Sequence, residues 1–262
     1  MGPDGMLFLA DYGPQLNTGI GSIIYRVKMD GSSTVFATGA DGASGNSVDG
    51  NGNLIQSNIR GGFVWRVSPD GKVETIATNI ISPTGTGTDS FGNIFIGSCR
   101  GFVHKVDSAG DVTVFYDGPL LKCPNGLTLD DNDNVYIANF SDGNVLVITP
   151  EGEASVLATM PGGNNAHLTF ANGRLYVVDR GNHQIYDVSL SGEISLLAGS
   201  GVRGKADGQA MDAEFSIPNG IAASVTGDSL FVNDAVPVEG DPMGVINPVV
   251  IRLISGVHST LK

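Results

Sequence analysis

The chain has 262 residues, 41% of them hydrophobic and only 16% charged, with 38 glycines and a net charge of −13. That acidity argues against nucleic acid and anionic membranes, whose binding needs clustered lysine and arginine, and no apolar run approaches the roughly 18 residues of a membrane helix. Two cysteines supply neither a disulfide framework nor zinc spacing.

The chain opens on a turn, Gly2–Gly5, with no basic-then-apolar leader. As written it reads as cytoplasmic; a truncated N-terminus would leave a periplasmic or secreted protein open. The first predicted strand is centred on Phe8 and ends in a small polar residue, Asp11. The same phrase returns around Ile55, Phe95, Tyr136, Tyr176 and Phe231, at intervals of 40 to 55 residues. Three residues after each centre stands Asn58, Ser98, Asn139, Asp179 or Asp234. Two further strands follow each centre, joined by turns such as Ser68-Pro69-Asp70-Gly71 and Thr149-Pro150-Glu151-Gly152, which are strong hairpin signals.

Four strands per ~40 residues is the size of a propeller blade. The expectation is an all-β, six-bladed β-propeller with four antiparallel strands per blade. The blades fall at approximately 1–40, 41–80, 81–120, 121–160, 161–216 and 217–262 of one domain. The first blade starts at its turn and so lacks its innermost strand, while the sixth should be complete through Val257–Leu261. Gly204–Phe215 is the one stretch that can form a short helix.

Three long connections, Tyr12–Ser22, Gly199–Ile217 and Ala235–Asn247, fall on one face, where binding residues concentrate over a rigid scaffold. The starts of the inner strands point into the channel mouth there: Ser44, Thr84, Asn125, Asn165 and Asn219. Such a polar ring can bind water, a polar ligand or a hard cation; Pro-Asn-Gly turn chemistry accounts for the same residues without a ligand. His167, two residues from Asn165, should share its channel side and can act as a general base; a hydrogen-bonded structural histidine is the preferred reading. His183 reads as a loop brace, and His104 and His258 as structural.

Arg60, Arg100 and Arg180 sit in the loops of this face, with Lys122, Arg203 and Lys205 in connections to it. Guanidinium groups over a pocket suit carboxylate or phosphate; if the small-molecule ligand is anionic, loss of Arg60 and Arg100 should abolish its binding. Neutralisation of nearby carboxylates is the preferred reading of these basic residues. Cys99 and Cys123 share this face on neighbouring blades, within reach of a disulfide if their Cα atoms approach to roughly 7 Å. Two reduced thiols are the preferred reading.

Leu175-Tyr176-Val177-Val178-Asp179-Arg180-Gly181-Asn182-His183-Gln184-Ile185 resembles an NHL repeat, as does Phe215-Ser216-Ile217-Pro218-Asn219-Gly220-Ile221-Ala222. Cys123-Pro124-Asn125-Gly126-Leu127 resembles the start of an inner strand in the gluconolactonase/regucalcin-like (senescence marker protein) family, which shares a six-bladed TolB-like architecture. The resemblance implies a divalent cation, usually calcium, at the channel mouth. Its ligands there are a first-blade Glu, a middle-blade Asn, the Asn of Pro-Asn-Gly and an Asp of the next blade. Asn125 matches. The Glu falls in the absent strand, the third-blade position is Thr84, and the Asp position reads Asn165. Asn125 and Asn165 are then the metal ligands, neutral ones that hold calcium weakly. Two functions follow. One is a small-molecule-binding propeller with lactonase- or esterase-like hydrolysis at the channel mouth. The other is a non-catalytic NHL-type propeller that binds a ligand or a protein partner through its loop face.

Overall fold

A computed structural model of the chain describes residues 1–15, 18–236, 240 and 249–257. Its strands form six separate antiparallel sheets. The first sheet holds β1 (Leu7–Ala10), β2 (Ile23–Val27) and β3 (Ser33–Thr38). The second holds β4 (Ala43–Val48), β5 (Leu54–Asn58), β6 (Phe63–Val67) and β7 (Val73–Ala77). The third runs through β8 (Pro83–Thr88), β9 (Ile94–Ser98), β10 (Phe102–Val106) and β11 (Val112–Tyr116). The fourth contains β12 (Pro124–Leu129), β13 (Val135–Asn139), β14 (Asn144–Ile148) and β15 (Ala154–Thr159). The fifth contains β16 (Asn165–Ala171), β17 (Arg174–Asp179), β18 (Gln184–Ser189) and β19 (Ile194–Ala198). The sixth comprises β20 (Ile221–Ala223), β21 (Ser229–Ala235) and β22 (Val249–Ser255).

The strands of each sheet pair in sequence order, and β4, β8, β12, β16 and β20 stand side by side as the inner strands. The chain is therefore a six-bladed propeller. The first blade has three strands and lacks the innermost, because β1 aligns with the second strand of the other blades. Beyond β22, the expected last strand lies outside the described residues from His258 onward.

The turn into the second strand of a blade is built by a repeated side-chain brace. Asp49, Asp89 and Asp130 each accept the backbone N–H groups two and four residues on, at 2.8–3.0 Å. The other carboxylate oxygen accepts Nδ2 of Asn53, Asn93 or Asn134 at 2.7–2.9 Å. Asp and Asn favour such turns because their short side chains satisfy the local backbone.

Both faces of a blade are covered by its neighbours, so the middle strands are apolar on both sides. The core is a ring of clusters, one at each blade junction. Examples are Ile55 and Val64 against Ile94, Ile96 and Val106, and Tyr136 and Val145 against Val177 and Val188. Phe231 against Leu7 and Val27 closes the ring between the last blade and the first. Each such side chain contributes roughly 1.5–3 kcal/mol on burial.

Two expectations need correction. Gly204–Phe215 forms no helix; it is a looped excursion tied by Gly199 N–H to Ala210 O (2.8 Å), Glu214 N–H to Ala206 O (2.9 Å) and a bridge between Arg203 and Phe215. Asp207-Gly208 interrupts it, and no apolar stripe is present to hold a helix against the core. Cys99 and Cys123 are joined as a disulfide, with Cα atoms 3.8 Å apart, rather than two free thiols. The blade-to-blade stacking carries the turn after β9 directly against the segment entering β12.

Candidate functional site

In the second to sixth blades the residue three places after the strand centre is a clamp. Asn58 Oδ1 accepts Asp41 N–H at 3.0 Å and Asn139 Oδ1 accepts Lys122 N–H at 3.1 Å. Ser98 Oγ donates to Ile81 O at 2.6 Å, and Asp179 Oδ2 accepts Gly162 N–H at 2.7 Å. Asp234 Oδ1 accepts Ser216 and Ile217 N–H at 3.0 and 2.8 Å. Each clamp fixes the backbone that leads into the inner strand of its own blade. Burial pushes the Asp179 and Asp234 carboxyls above the usual range, and these N–H donors pull back against it.

One place further along, a ring of six side chains lines the channel mouth: Tyr12, Ile59, Cys99, Phe140, Arg180 and Ala235. Sequence reasoning stopped one residue short of this ring, although counting four from each strand centre finds it. The offset sorts the arginines. Arg180 occupies the ring position and lines the channel. Arg60 and Arg100 stand one residue later, are exposed, and do not line it. Arg60 pairs instead with Asp41 at 3.2 Å. The expected three-arginine cluster is therefore one arginine. Lys122 and Lys205 are exposed away from the channel, and Arg203 Nε donates to Ser216 Oγ at 3.2 Å.

Arg180 forms no ion pair among the described residues. Its guanidinium lies 5.4 Å from the centre of the Phe140 ring, a favourable cation–π geometry. Burial lowers its pKa from the ordinary value and the neighbouring Tyr12 acts in the opposite sense. Tyr12 is raised by burial and drawn down by Arg180.

Below this ring the inner strands contribute Ser44, Thr84, Asn125 and Asn219, all lining the channel. Thr84 Oγ1 donates to Pro124 O at 2.7 Å, so its hydroxyl is used in joining two blades. Asn125 Nδ2 reaches Asn165 O at 3.4 Å. Asn165 itself is the exception. It pairs with Asp179 as Pro124 pairs with Asn139, so the equivalent of Asn125 in the fifth blade is Ala166. The Asn165 side chain is fully buried, donates to Asn144 O at 3.2 Å, and leaves Oδ1 without a partner. The expectation that it faces the mouth is corrected: the run Asn165-Ala166-His167 imitates Pro-Asn-Gly but starts one register position early.

The next level explains His167. Its register partners are Gly45, Gly85, Gly126 and Gly220, so four blades carry glycine where the fifth carries imidazole. A Cβ at Gly45 would lie 2.7 Å from His167 Cε1. The imidazole thus spans the channel from the fifth blade to the second, directly opposite in a ring of six, and forms a floor beneath the mouth. Its backbone N–H donates to Asn219 O at 3.1 Å. Burial first, and the Arg180 charge second, lower its pKa to about 4. It is therefore neutral at pH 7. His183 lies off the channel, with Nδ1 buried and unpartnered.

The channel, its mouth and a side gap beside β1 enclose about 1360 Å³. The donor set does not fit the calcium site that the family resemblance implies. No group of three His, Cys, Asp or Glu is placed to hold a metal among the described residues. Asn165 points away, Asp234 is engaged by N–H donors, and the Arg180 cation shares the cavity with the neutral oxygens that remain.

These features define the class: a six-bladed propeller whose polar channel mouth is floored by a histidine and overhung by one arginine. Residues 56–181 match the family model described as the SMP-30/Gluconolactonase/LRE-like region. No curated protein sequence matches the chain. Similar solved structures include virginiamycin B lyase from Staphylococcus aureus, at 16% identity and TM-score 0.66, covering 88% of this chain and 74% of that one. A streptogramin B lyase matches at 15% and 0.67, covering 96% and 91%. A chain of a nidogen/laminin complex matches at 20% and 0.70, covering 87% and 85%. Identities this low establish the fold and leave activity to be argued from the site.

Proposed function

We propose that the channel mouth binds a small molecule bearing a carboxylate or phosphate, with Arg180 as its anchor and His167 as the hydrogen-bonding floor. The carrying observation is the Arg180 guanidinium, drawn into the mouth, stacked on Phe140 and free of any carboxylate among the described residues. A half-buried cation without a counter-charge is costly, and an anionic ligand relieves that cost. Phe140, Tyr12 and Ile59 give the rest of the ligand an apolar wall, and Ser44, Asn125 and Asn219 give it polar contacts, the usual mixture of a small-molecule pocket.

Hydrolysis of a small ester or lactone is the second reading. It is favoured by a neutral imidazole facing the mouth, able to accept a proton from water. It ranks second because a group with pKa about 4 is a weak base at neutral pH. No step is assigned to calcium. A purely binding role toward a protein through the loop face remains the third outcome of the same test.

The test is a calorimetric screen of small carboxylates and phosphates, with and without calcium. The expected result is saturable, calcium-independent binding that falls at least about tenfold in Arg180→Gln and is kept in Arg60→Gln and Arg100→Gln. Binding that survives Arg180→Gln, or that appears only with calcium, overturns this reading. Turnover of an aryl ester or lactone that is lost in His167→Gln would promote the hydrolase.

A further inference from the structure

We propose that the Cys99–Cys123 bond is a reversible thiol-exchange site, opened and closed from the channel mouth by a small thiol that carries a carboxylate. This goes beyond the Arg180-anchored ligand and does not depend on it. A disulfide that serves stability alone is best kept from solvent, since exchange requires a thiolate to reach a sulfur. This one is open to the mouth. Cys99 belongs to the ring, Cys123 lies in the segment entering β12, and both are half-buried residues that line the cavity. A small molecule in the mouth can therefore meet the bond without unfolding the blades.

A second, independent observation is the charge around the bond. Arg100 follows Cys99 and Lys122 precedes Cys123, in a chain of net charge −13 with only 14 basic residues. Both side chains are exposed, and neither forms an ion pair among the described residues. Each is the immediate chain neighbour of a bonded cysteine, so each cation stands within about a side-chain length of a sulfur. Nearby cations stabilise a departing thiolate and attract an incoming one. A carboxylate on the incoming molecule adds a further charge to that attraction.

In the exchange the small thiolate attacks Cys99 Sγ, the sulfur of the ring residue. The S–S bond breaks, its electron pair leaves on Cys123 Sγ, and that sulfur takes a proton from water. A second small thiolate then attacks the small molecule's sulfur in the mixed disulfide and releases Cys99, which is protonated in turn. Two small thiols are thus oxidised to one small disulfide, and the protein disulfide is reduced to two thiols. The small disulfide drives the same steps in reverse. The bond can re-form because the fold holds the two segments together without it. Cys99 N–H donates to Ser82 O at 3.1 Å, Phe140 N–H donates to Cys123 O at 3.0 Å, and one apolar cluster spans the third and fourth blades.

The experiment treats the oxidised, undenatured chain at low salt with 3-mercaptopropionate or with 2-mercaptoethanol. Freed cysteines are alkylated and counted by intact mass, and rates are expressed per thiolate. The expected result is reduction of the native protein through a mixed disulfide at Cys99, with the carboxylate-bearing thiol preferred. Arg100→Gln and Lys122→Gln should each lower that preference about threefold, the size of a water-screened attraction between unit charges over a side-chain length. Arg66→Gln removes the same charge on β6 and should leave the preference unchanged. Adding 3,3′-dithiodipropionate to the reduced chain should close the bond again. Reduction that occurs only under denaturing conditions overturns the proposal. So does a preference that survives loss of both cations, and so does a reduced chain that the small disulfide fails to reoxidise.

Discussion

Reducing the Cys99–Cys123 bond, or replacing both cysteines with serine, should destabilise the propeller by about 3.5 kcal/mol. The bond closes a segment of sequence separation 24. In the chain-entropy treatment a loop of that length carries roughly 11.6 cal/mol/K of denatured-state entropy, or about 3.5 kcal/mol at 25 °C. At about 2.1 cal/mol/K of unfolding entropy per residue, a chain of 262 residues should lose about 6 °C in Tm. The native fold should persist, because the same junction is also held by Cys99 N–H to Ser82 O (3.1 Å), Phe140 N–H to Cys123 O (3.0 Å) and the apolar contacts of the third and fourth blades. The assay is differential scanning calorimetry of the chain with and without reductant, alongside Cys99→Ser/Cys123→Ser. The double variant should melt like the reduced protein and be indifferent to reductant. Equal melting of oxidised and reduced wild type would refute the reasoning, as would two titratable thiols in the protein denatured without reductant. Cys99 belongs to the ring at the mouth, so the reduced protein should also bind an Arg180-anchored ligand less tightly.

Two further outcomes follow from the channel. The His167 pKa of about 4 lies below its unfolded value of 6.5, so the unfolded chain binds the extra proton first. The His167 contribution is fully present above pH 6.5 and is lost as pH falls toward 4, up to about 3 kcal/mol. Urea melts of wild type and His167→Gln from pH 7 to 4 should therefore converge as pH drops, and a constant gap would show a histidine that titrates normally. Gly126→Ala should cost roughly 2–3 kcal/mol by overpacking, since a Cβ there meets His167 Cα at 2.8 Å and Leu168 N at 2.9 Å. Gly50→Ala, with nothing within 4 Å, should stay within about 0.5 kcal/mol in the same melts.

The architecture was legible because a propeller repeats its local chemistry. An apolar strand centre followed at a fixed distance by a clamp residue is a physical requirement of each blade with an inner strand, so it recurs in the sequence. The absent strand of the first blade was legible for the same reason. The site was less so. Asn165 was misplaced because the register-marking glycine of its blade is replaced by His167, leaving Asn165-Ala166 to imitate Asn-Gly one step early. Arg60 and Arg100 were grouped with Arg180 because all three follow a strand end, and a loop position one residue later turns a side chain from the channel to the solvent. The disulfide depends on the approach of two blades, which no local spacing encodes.

Position within the phrase also explains where this propeller can differ from its relatives without losing its fold. The clamp position is fixed by backbone N–H groups that need an acceptor, or by a carbonyl that needs a donor, so only small polar residues serve there. The next position meets no such backbone demand, since its residue lines the channel. Apart from Cys99, which is bonded to Cys123, chemistry can therefore vary there at little cost to stability, and in this chain it does: Tyr12, Ile59, Phe140, Arg180 and Ala235 share no property except their place in the ring. The cation lies beside one aromatic ring and near a second, while Ala235 is the small member on the next blade. A ligand suited to that wall has its charge over the fifth blade, a flat apolar body along the fourth and first, and its bulk toward the sixth. A ligand with two well-separated anionic groups would leave the second one facing Ile59 or Cys99 without a counter-charge, and should bind less well than its singly charged analogue.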